Sequence, residues 1–160
     1  ELRRYNKGQT AEEVENGIAK LDALGETHSN FHVSPSQGFI LFGPWTTLED
    51  LELNVAAFRR VGFQRFRGRV TRSKLRLNPD AALIARARAD GLLQDNHDRP
   101  DEDNAADTGY QAEIPYRFAD AATARVWELL NGPDAIQGDH EIDRLERATR
   151  RVREERGAVD

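Results

Sequence analysis

The residues whose types and spacing could best support chemistry form a basic segment between Leu53 and Pro79, where no acid occurs. Its cations are Arg59, Arg60, Arg65, Arg67, Arg69, Arg72, Lys74 and Arg76. Three phenylalanines alternate with them, and cations interleaved with aromatic rings are typical of surfaces that bind phosphates or nucleic acid. A simpler interpretation, which we favour, pairs the arginines with an acidic segment, residues 95–107. A nucleic-acid partner is therefore not expected.

Other residue types that support chemistry are sparse. His28 and His32 share a face of an extended segment, but no third metal ligand stands nearby. The acids Asp101, Glu102 and Asp103 lack the glycine and the distal glutamate of a calcium-binding loop. The sequence has no cysteine, which excludes disulfides, thiolate metal sites and a cysteine nucleophile. We assign no catalytic residue and no metal ligand.

Composition limits the class of protein. The 160 residues are 38% hydrophobic and 32% charged, with a net charge of −5, which is polar for a compact fold. No apolar run approaches the ~18 residues of a membrane span, and no signal peptide is visible. We expect a cytoplasmic protein without a membrane partner. Because the first residue is Glu1, we also expect the chain to have been cut from a longer protein.

Capping signals and apolar spacing predict the helices that surround these residues. Thr10 with Glu13 forms a capping box before a helix at 11–24, and Thr47 with Asp50 caps a helix that ends at Gly62. Three more helices are expected: a short one around Leu83–Ala87, one at 121–131 after Asp120, and one at 139–156.

Two apolar runs between the helices predict strands. Residues 38–42 form an unalternating run, which is typical of a strand that is buried on both faces, and a second strand is expected near 70–77. Residues 10–91 then alternate as α, β, α, β, α, which implies βαβ units and a parallel sheet. Residues 94–109 predict an acidic loop, and the loose alternation of residues 110–118 predicts a further strand.

Three ordered blocks resemble a radical S-adenosylmethionine (SAM) enzyme of the group that often carries a cobalamin-binding domain. They are YNKGQTAEEVENGIAKLDALG (5–25), GFILFGPWTTLEDLELNVAAFRRVG (38–62) and SKLRLNPDAALIARARADGLL (73–93). In that group the middle block tends to read as an apolar strand followed by Pro-x-Thr-Thr-Leu-Glu. GYQAEIPYRFADAATARVWELL (109–130) resembles the aromatic segment and helix that follow.

The resemblance implies an α/β fold, made of the C-terminal units of a partial parallel (βα) barrel with a mainly helical C-terminal tail. Residues 1–93 would hold the barrel units, 94–109 the acidic loop, and 110–160 the extension. Family members place a G-x-I-x-G-x-x-E-like motif against the SAM adenine, and Gly38 and Ile40 fit its first and third positions. Phe42 and Trp45 replace the second glycine and the glutamate. The cofactor-binding residues implied are Gly38, Phe39, Ile40, Phe42, Lys74 and Arg76.

The largest departure from the family is the missing cysteine. The resemblance implies SAM and a [4Fe–4S] cluster in the complete enzyme, with cobalamin in some relatives, but that cluster is held by three cysteines. This chain alone is therefore not competent for reductive SAM cleavage. We expect its partner to be the missing N-terminal half of the barrel, and its substrate to be a small molecule or a peptide. The alternative is a non-catalytic module that uses its arginine-rich face to bind an anionic partner.

Overall fold

Five helices make up most of the computed structural model, which describes Gly8 and residues 10–32, 40–62, 70–77, 82–94 and 114–158. They are α1 (Ala11–Thr27), α2 (Leu48–Val61), α3 (Ala82–Ala89), α4 (Ala121–Asn131) and α5 (Glu141–Gly157). A 3₁₀ turn covers Val70–Arg72. All five helices lie where the sequence predicts a helix, which confirms those predictions.

The predicted caps form the helix starts. Thr10 accepts a hydrogen bond from the Glu13 amide while the Glu13 carboxylate accepts one from the Thr10 amide, which is the expected capping box. Thr47 and Asp50 make the same reciprocal pair at the start of α2. At its other end, α2 stops at Gly62, whose φ of 73° lies in the left-handed region that favours glycine.

The α/β prediction is wrong, because the ranges described above contain helices and no strand. A partial parallel (βα) barrel is therefore not supported. Residues 40–42 and 73–75 do run side by side, but they make a single parallel bridge between Phe42 and Lys74. One antiparallel bridge joins Leu93 to Tyr116. Tyr116 lies within residues 110–118, which were predicted as a further strand.

Turns at both segments explain why the pairing stays so short. The β-branched start of the predicted strand at 70–77 winds into the 3₁₀ turn instead, and the Ser73 amide donates to the carbonyl of Val70. Immediately after Phe42, the Gly43-Pro44 turn redirects the other segment, and proline has no amide to donate. β-Propensity reports how well a side chain fits a half-buried sheet surface, so tertiary packing overrides it here.

The main hydrophobic core lies between α2, α4 and α5. Its helical members include Leu51, Val126 and Leu145, and each is almost fully buried. Leu41 and Phe42 pack into the same core from the extended segment. Leu41 and Phe42 of the apolar run are therefore buried, as predicted, whereas Ile40 is 41% exposed. The buried pair is covered by helices and by Phe118, which precedes α4.

A second hydrophobic cluster lies beside this core. It consists of Trp45, Leu77, Ile84, Ala87, Leu92, Ile114 and Tyr116. This cluster packs α3 against the 73–77 and 114–118 segments. In contrast, α1 has no buried residue, and it touches the rest of the described chain through α2.

Asp120 joins the N-termini of two helices. Its carboxylate accepts hydrogen bonds from the Ala122 and Thr123 amides at the start of α4. It also accepts one from the Leu48 amide, the first residue of α2, at 2.9 Å. A negative group at a helix N-terminus compensates both the unpaired amides and the helix dipole. One side chain therefore caps α2 and α4 together.

Replacing Asp120 by alanine should destabilise the core. Loss of one N-cap costs about 0.5–2 kcal/mol, so loss at two helices should lower the free energy of unfolding by about 2 kcal/mol. Urea unfolding followed by circular dichroism measures this change. The matched control is Thr10→Ala, which removes the cap of α1, the helix without a buried residue. Equal shifts in the two variants would contradict the role of Asp120.

Candidate functional site

The two segments that the sequence singles out for cofactor binding meet at the parallel bridge. The amides of Leu41 and Phe42 both donate to the Ser73 carbonyl, at 3.1 and 3.0 Å, and the Leu75 amide donates to the Phe42 carbonyl at 2.6 Å. Phe42 and Lys74 thereby stand opposite each other. The structure thus brings together two of the predicted site residues from positions 32 apart in sequence.

Lys74 lies among aromatic rings. Its Nζ is 4.6 Å from the ring centroid of Tyr116, 4.9 Å from that of Trp127 and 5.1 Å from that of Phe118. The Phe42 ring meets Trp127 edge-on at 5.1 Å, and the Tyr116 hydroxyl donates to the Phe42 carbonyl at 3.3 Å. We call these five residues the lysine–aromatic cluster. An ammonium within about 6 Å of a ring face is held by the ring quadrupole.

The other predicted cofactor residues lie in different surroundings. Ile40 is 41% exposed, and Arg76 is also exposed. Phe42 is fully buried, so it acts through packing and offers no surface to a ligand. Gly38 and Phe39 lie outside the described residues. Among the described members of the predicted set, Ile40 and Arg76 are the exposed residues.

Trp45 stands where the family motif has a glutamate, and its indole has a partner within the chain. The indole Nε1 donates to the carboxylate of Asp90 at 2.7 Å, and the Arg86 guanidinium lies over the ring at 4.4 Å. A carboxylate is thus close to this position, but it comes from the end of α3. The sequence does not reveal this contact, because Trp45 and Asp90 are 45 positions apart.

An open cavity of about 580 Å³ lies beside Trp45. Its lining residues are Trp45, Thr47, Glu49, Arg86, Ala119, Asp120 and Arg156. They come from the starts of α2 and α4, from α3 and from the end of α5. We call it the Trp45 cavity. Sequence reasoning did not find it, because no local spacing connects residues so far apart in the chain.

The basic segment is partly neutralised by acids of the same chain. Arg59 bonds Asp143 and Glu146 of α5, both at 2.6 Å, and Arg60 bonds Glu15 of α1 at 2.7 Å. The hydrogen bond from Arg59 is the main reason that the pKa of Glu146 lies below its ordinary value. The acids expected to pair with these arginines, in residues 95–107, and Arg65, Arg67 and Arg69 lie outside the described residues.

The described ranges contain no group of three or more side chains suited to hold a metal ion. The His28 Nδ1 lies 2.8 Å from the Thr27 hydroxyl. A [4Fe–4S] cluster does not fit this chain, since its 160 residues include no cysteine to supply a thiolate. Asp101, Glu102 and Asp103 lie outside the described residues.

None of the helices in the described ranges is both long and apolar enough to cross a membrane. The chain matches no family model, no curated protein and no solved structure. Its function therefore has to be argued from its own residues and from the resemblance of its sequence blocks.

Replacing Lys74 by methionine should destabilise the fold. Methionine keeps the apolar stem but removes the charge that faces three rings, and each such contact is worth about 0.5–2 kcal/mol. We expect the free energy of unfolding to fall by about 1–2 kcal/mol, with Lys74→Arg much closer to the wild type. Denaturant unfolding, followed by tryptophan fluorescence, measures this. Lys20→Met, on exposed α1, is the control, and an equal loss there would contradict the role of the rings.

The Arg59–Glu146 pair should make stability depend on pH. The pKa of Glu146 is lowered in the folded state, so its contribution is present above the ordinary value of 4.5 and is lost as pH falls towards the folded pKa. Glu146→Gln should flatten the fall of the unfolding midpoint between about pH 5 and about pH 3. The effect should stay below about 1 kcal/mol, because the pair is exposed. Glu154→Gln, on the same helix, is the control for the loss of one negative charge, and equal flattening in that variant would contradict the role of Arg59.

Proposed function

We propose that this chain is the C-terminal region of a radical SAM enzyme, where it binds and orients SAM or substrate. The observation that carries the proposal is the parallel pairing of Phe42 with Lys74. Two of the blocks that resemble the family, 38–62 and 73–93, meet through this pair. The resemblance implies that both blocks begin with parallel strands that lie side by side, and the described residues form a single parallel bridge there, which supports the proposal.

The residues of this chain contribute binding surface. Ile40 presents an exposed apolar side chain two residues before the bridge, and such a side chain suits the face of a purine ring. Arg76 presents a guanidinium two residues after the bridge, and a guanidinium suits a carboxylate or a phosphate. The parallel bridge between Phe42 and Lys74 holds their two segments in register. In this proposal, the lysine–aromatic cluster positions Ile40 and Arg76 and does not touch SAM.

The redox chemistry belongs to another part of the enzyme. In the complete enzyme, a [4Fe–4S] cluster would supply the electron for reductive SAM cleavage, and its thiolate ligands would have to come from polypeptide outside these 160 residues. The N-terminal half of the enzyme is the partner proposed to supply them, with a small molecule or a peptide as substrate. Cobalamin use stays a prediction from the resemblance, as does a cytoplasmic location.

The alternative, a binding module with an arginine-rich face, has less support. Arg59 and Arg60 lie at the start of that face, and both hydrogen-bond to carboxylates of this chain. A polyanion would have to compete with Asp143, Glu146 and Glu15 for them. Such exposed pairs are weak because water screens them, so competition is feasible but not favoured by the geometry.

The test uses the protein that the complete gene encodes, purified without oxygen and reconstituted with iron and sulfide. We expect it to bind four irons and to form 5′-deoxyadenosine from SAM when it is reduced. Ile40→Asp should weaken SAM binding by about tenfold or more, because it places an unpaired charge against the ligand. The iron content should not change, since Ile40 is not a ligand.

Leu53→Asp is the matched control. Leu53 is 69% exposed on α2, away from the bridge, so this variant should bind SAM as the wild type does. A protein that takes up no iron, or that makes no deoxyadenosine, would overturn the proposal. Equal loss of SAM affinity in both variants would overturn the role of Ile40. Binding of a polyanion that falls steeply with salt, in a protein without iron, would favour the alternative.

A further inference from the structure

Two arginines in the Trp45 cavity differ from most of the other described arginines. Arg86 approaches Asp90 only at 3.7 Å, and Arg156 approaches Asp120 at 3.6 Å and Glu49 at 4.0 Å. Neither guanidinium forms a hydrogen bond with a described residue. In contrast, hydrogen bonds are made by Arg59, Arg60, Arg117, Arg125, Arg144, Arg147, Arg150, Arg151 and Arg153.

The two acids of the cavity have partners of their own. The Asp120 carboxylate accepts hydrogen bonds from the amides of Leu48, Ala122 and Thr123 and from the Thr123 hydroxyl. Glu49 accepts a hydrogen bond from Arg153 at 3.2 Å. The formal charges of the lining cancel, with two arginines against two acids. The hydrogen bonds do not balance in the same way, because the acids accept hydrogen bonds whereas the two guanidiniums make only ion pairs at 3.6 to 4.0 Å.

Arg86 is held in place despite the lack of hydrogen bonds. It lies over the Trp45 ring at 4.4 Å, and the indole is itself fixed by its bond to Asp90. Stacking on an aromatic face is a geometry that arginine favours, and it leaves the N–H groups at the edge of the guanidinium available. Arg86 on α3 and Arg156 on α5 therefore bring two guanidiniums to one cavity from two elements, each held there without a hydrogen bond shorter than 3.5 Å.

We propose that the Trp45 cavity binds an oxyanion, a carboxylate or a phosphate group of a small molecule, between Arg86 and Arg156. Guanidinium groups bind both oxyanions through paired N–H donors. The site does not depend on the helix N-termini, where Asp120 and Thr47 already accept hydrogen bonds from the amides of Leu48, Asp50, Ala122 and Thr123. It is also independent of the proposed function, because it uses none of Ile40, Lys74 or Arg76.

The two tryptophans of the chain provide a direct probe. Trp45 lines the cavity, whereas Trp127 lies under Lys74 on α4, so their indole N–H signals report separate places. We would titrate the ¹⁵N-labelled 160-residue chain with inorganic phosphate and, separately, with succinate, at matched ionic strength in sodium chloride. We expect the Trp45 indole signal to shift and saturate while the Trp127 signal stays in place. Whichever titrant saturates at the lower concentration identifies the oxyanion.

Variants separate the cavity from general charge effects. Arg156→Gln should weaken binding by about tenfold, because it removes one of the two guanidiniums. Arg151→Gln, on α5 but outside the lining, should bind as the wild type does. Glu49→Gln should tighten binding severalfold, because it removes a negative charge that faces the same space.

Three results would overturn the proposal. The first is no saturable shift of the Trp45 signal up to about 50 mM of either oxyanion, well above the millimolar dissociation constant expected of an exposed site. The second is an equal shift with sodium chloride alone, which would indicate screening. The third is unchanged binding in Arg156→Gln when its unfolding midpoint matches that of the wild type.

Discussion

The carboxylate of Asp120 is the interaction on which the rest of the described structure depends. It lies at the point where α2 and α4 begin, and it satisfies amides from both helices. Two helix N-termini would repel each other if they met without a negative group between them. The carboxylate lets them converge, and this convergence brings the buried faces of α2 and α4 onto α5. The main core follows from that geometry.

Residues at the start of α4 also hold the Gly43-Pro44 turn and the residues that follow it. The Ala119 amide donates to the Pro44 carbonyl at 2.8 Å, and the Thr123 hydroxyl donates to the Thr46 carbonyl at 2.8 Å. Residues 43–47 are therefore tied to the start of α4. Phe42 precedes this turn and Trp45 lies within it. The lysine–aromatic cluster and the Trp45 cavity are thus positioned by one set of hydrogen bonds.

The helices could be predicted from sequence because their signals are local. A capping box spans four residues, and Thr10 with Glu13 or Thr47 with Asp50 reads the same in any fold. The double role of Asp120 could be predicted only in part. Its cap of α4 is visible in the sequence, but its bond to Leu48 joins positions 72 apart. No spacing rule reports a contact of that kind.

The strand predictions were wrong for a related reason. An apolar run such as 38–42 predicts burial, and Leu41 and Phe42 are buried, but a short run does not state whether helices or strands will cover it. The α, β, α, β, α alternation then implied a sheet that the described residues do not form. The start of the second run, Val70 to Arg72, shows how tertiary contacts decide the outcome. Asn131 donates to the Thr71 carbonyl and Glu141 accepts from the Thr71 amide, so side chains satisfy the backbone groups that a sheet would have used.

In the candidate site, as in the fold, the local sequence predicts some features, whereas others depend on contacts between residues far apart in the chain. Lys74 was predicted to contact a cofactor because its block resembles a family, yet three of its neighbours are rings from residues 116–127. The structure shows that these rings pack around the Lys74 ammonium, and contact of Lys74 with a cofactor stays a prediction. The guanidiniums of Arg86 and Arg156 are the opposite case. Nothing in the sequence connects these two arginines, and only the folded structure shows that both line one cavity.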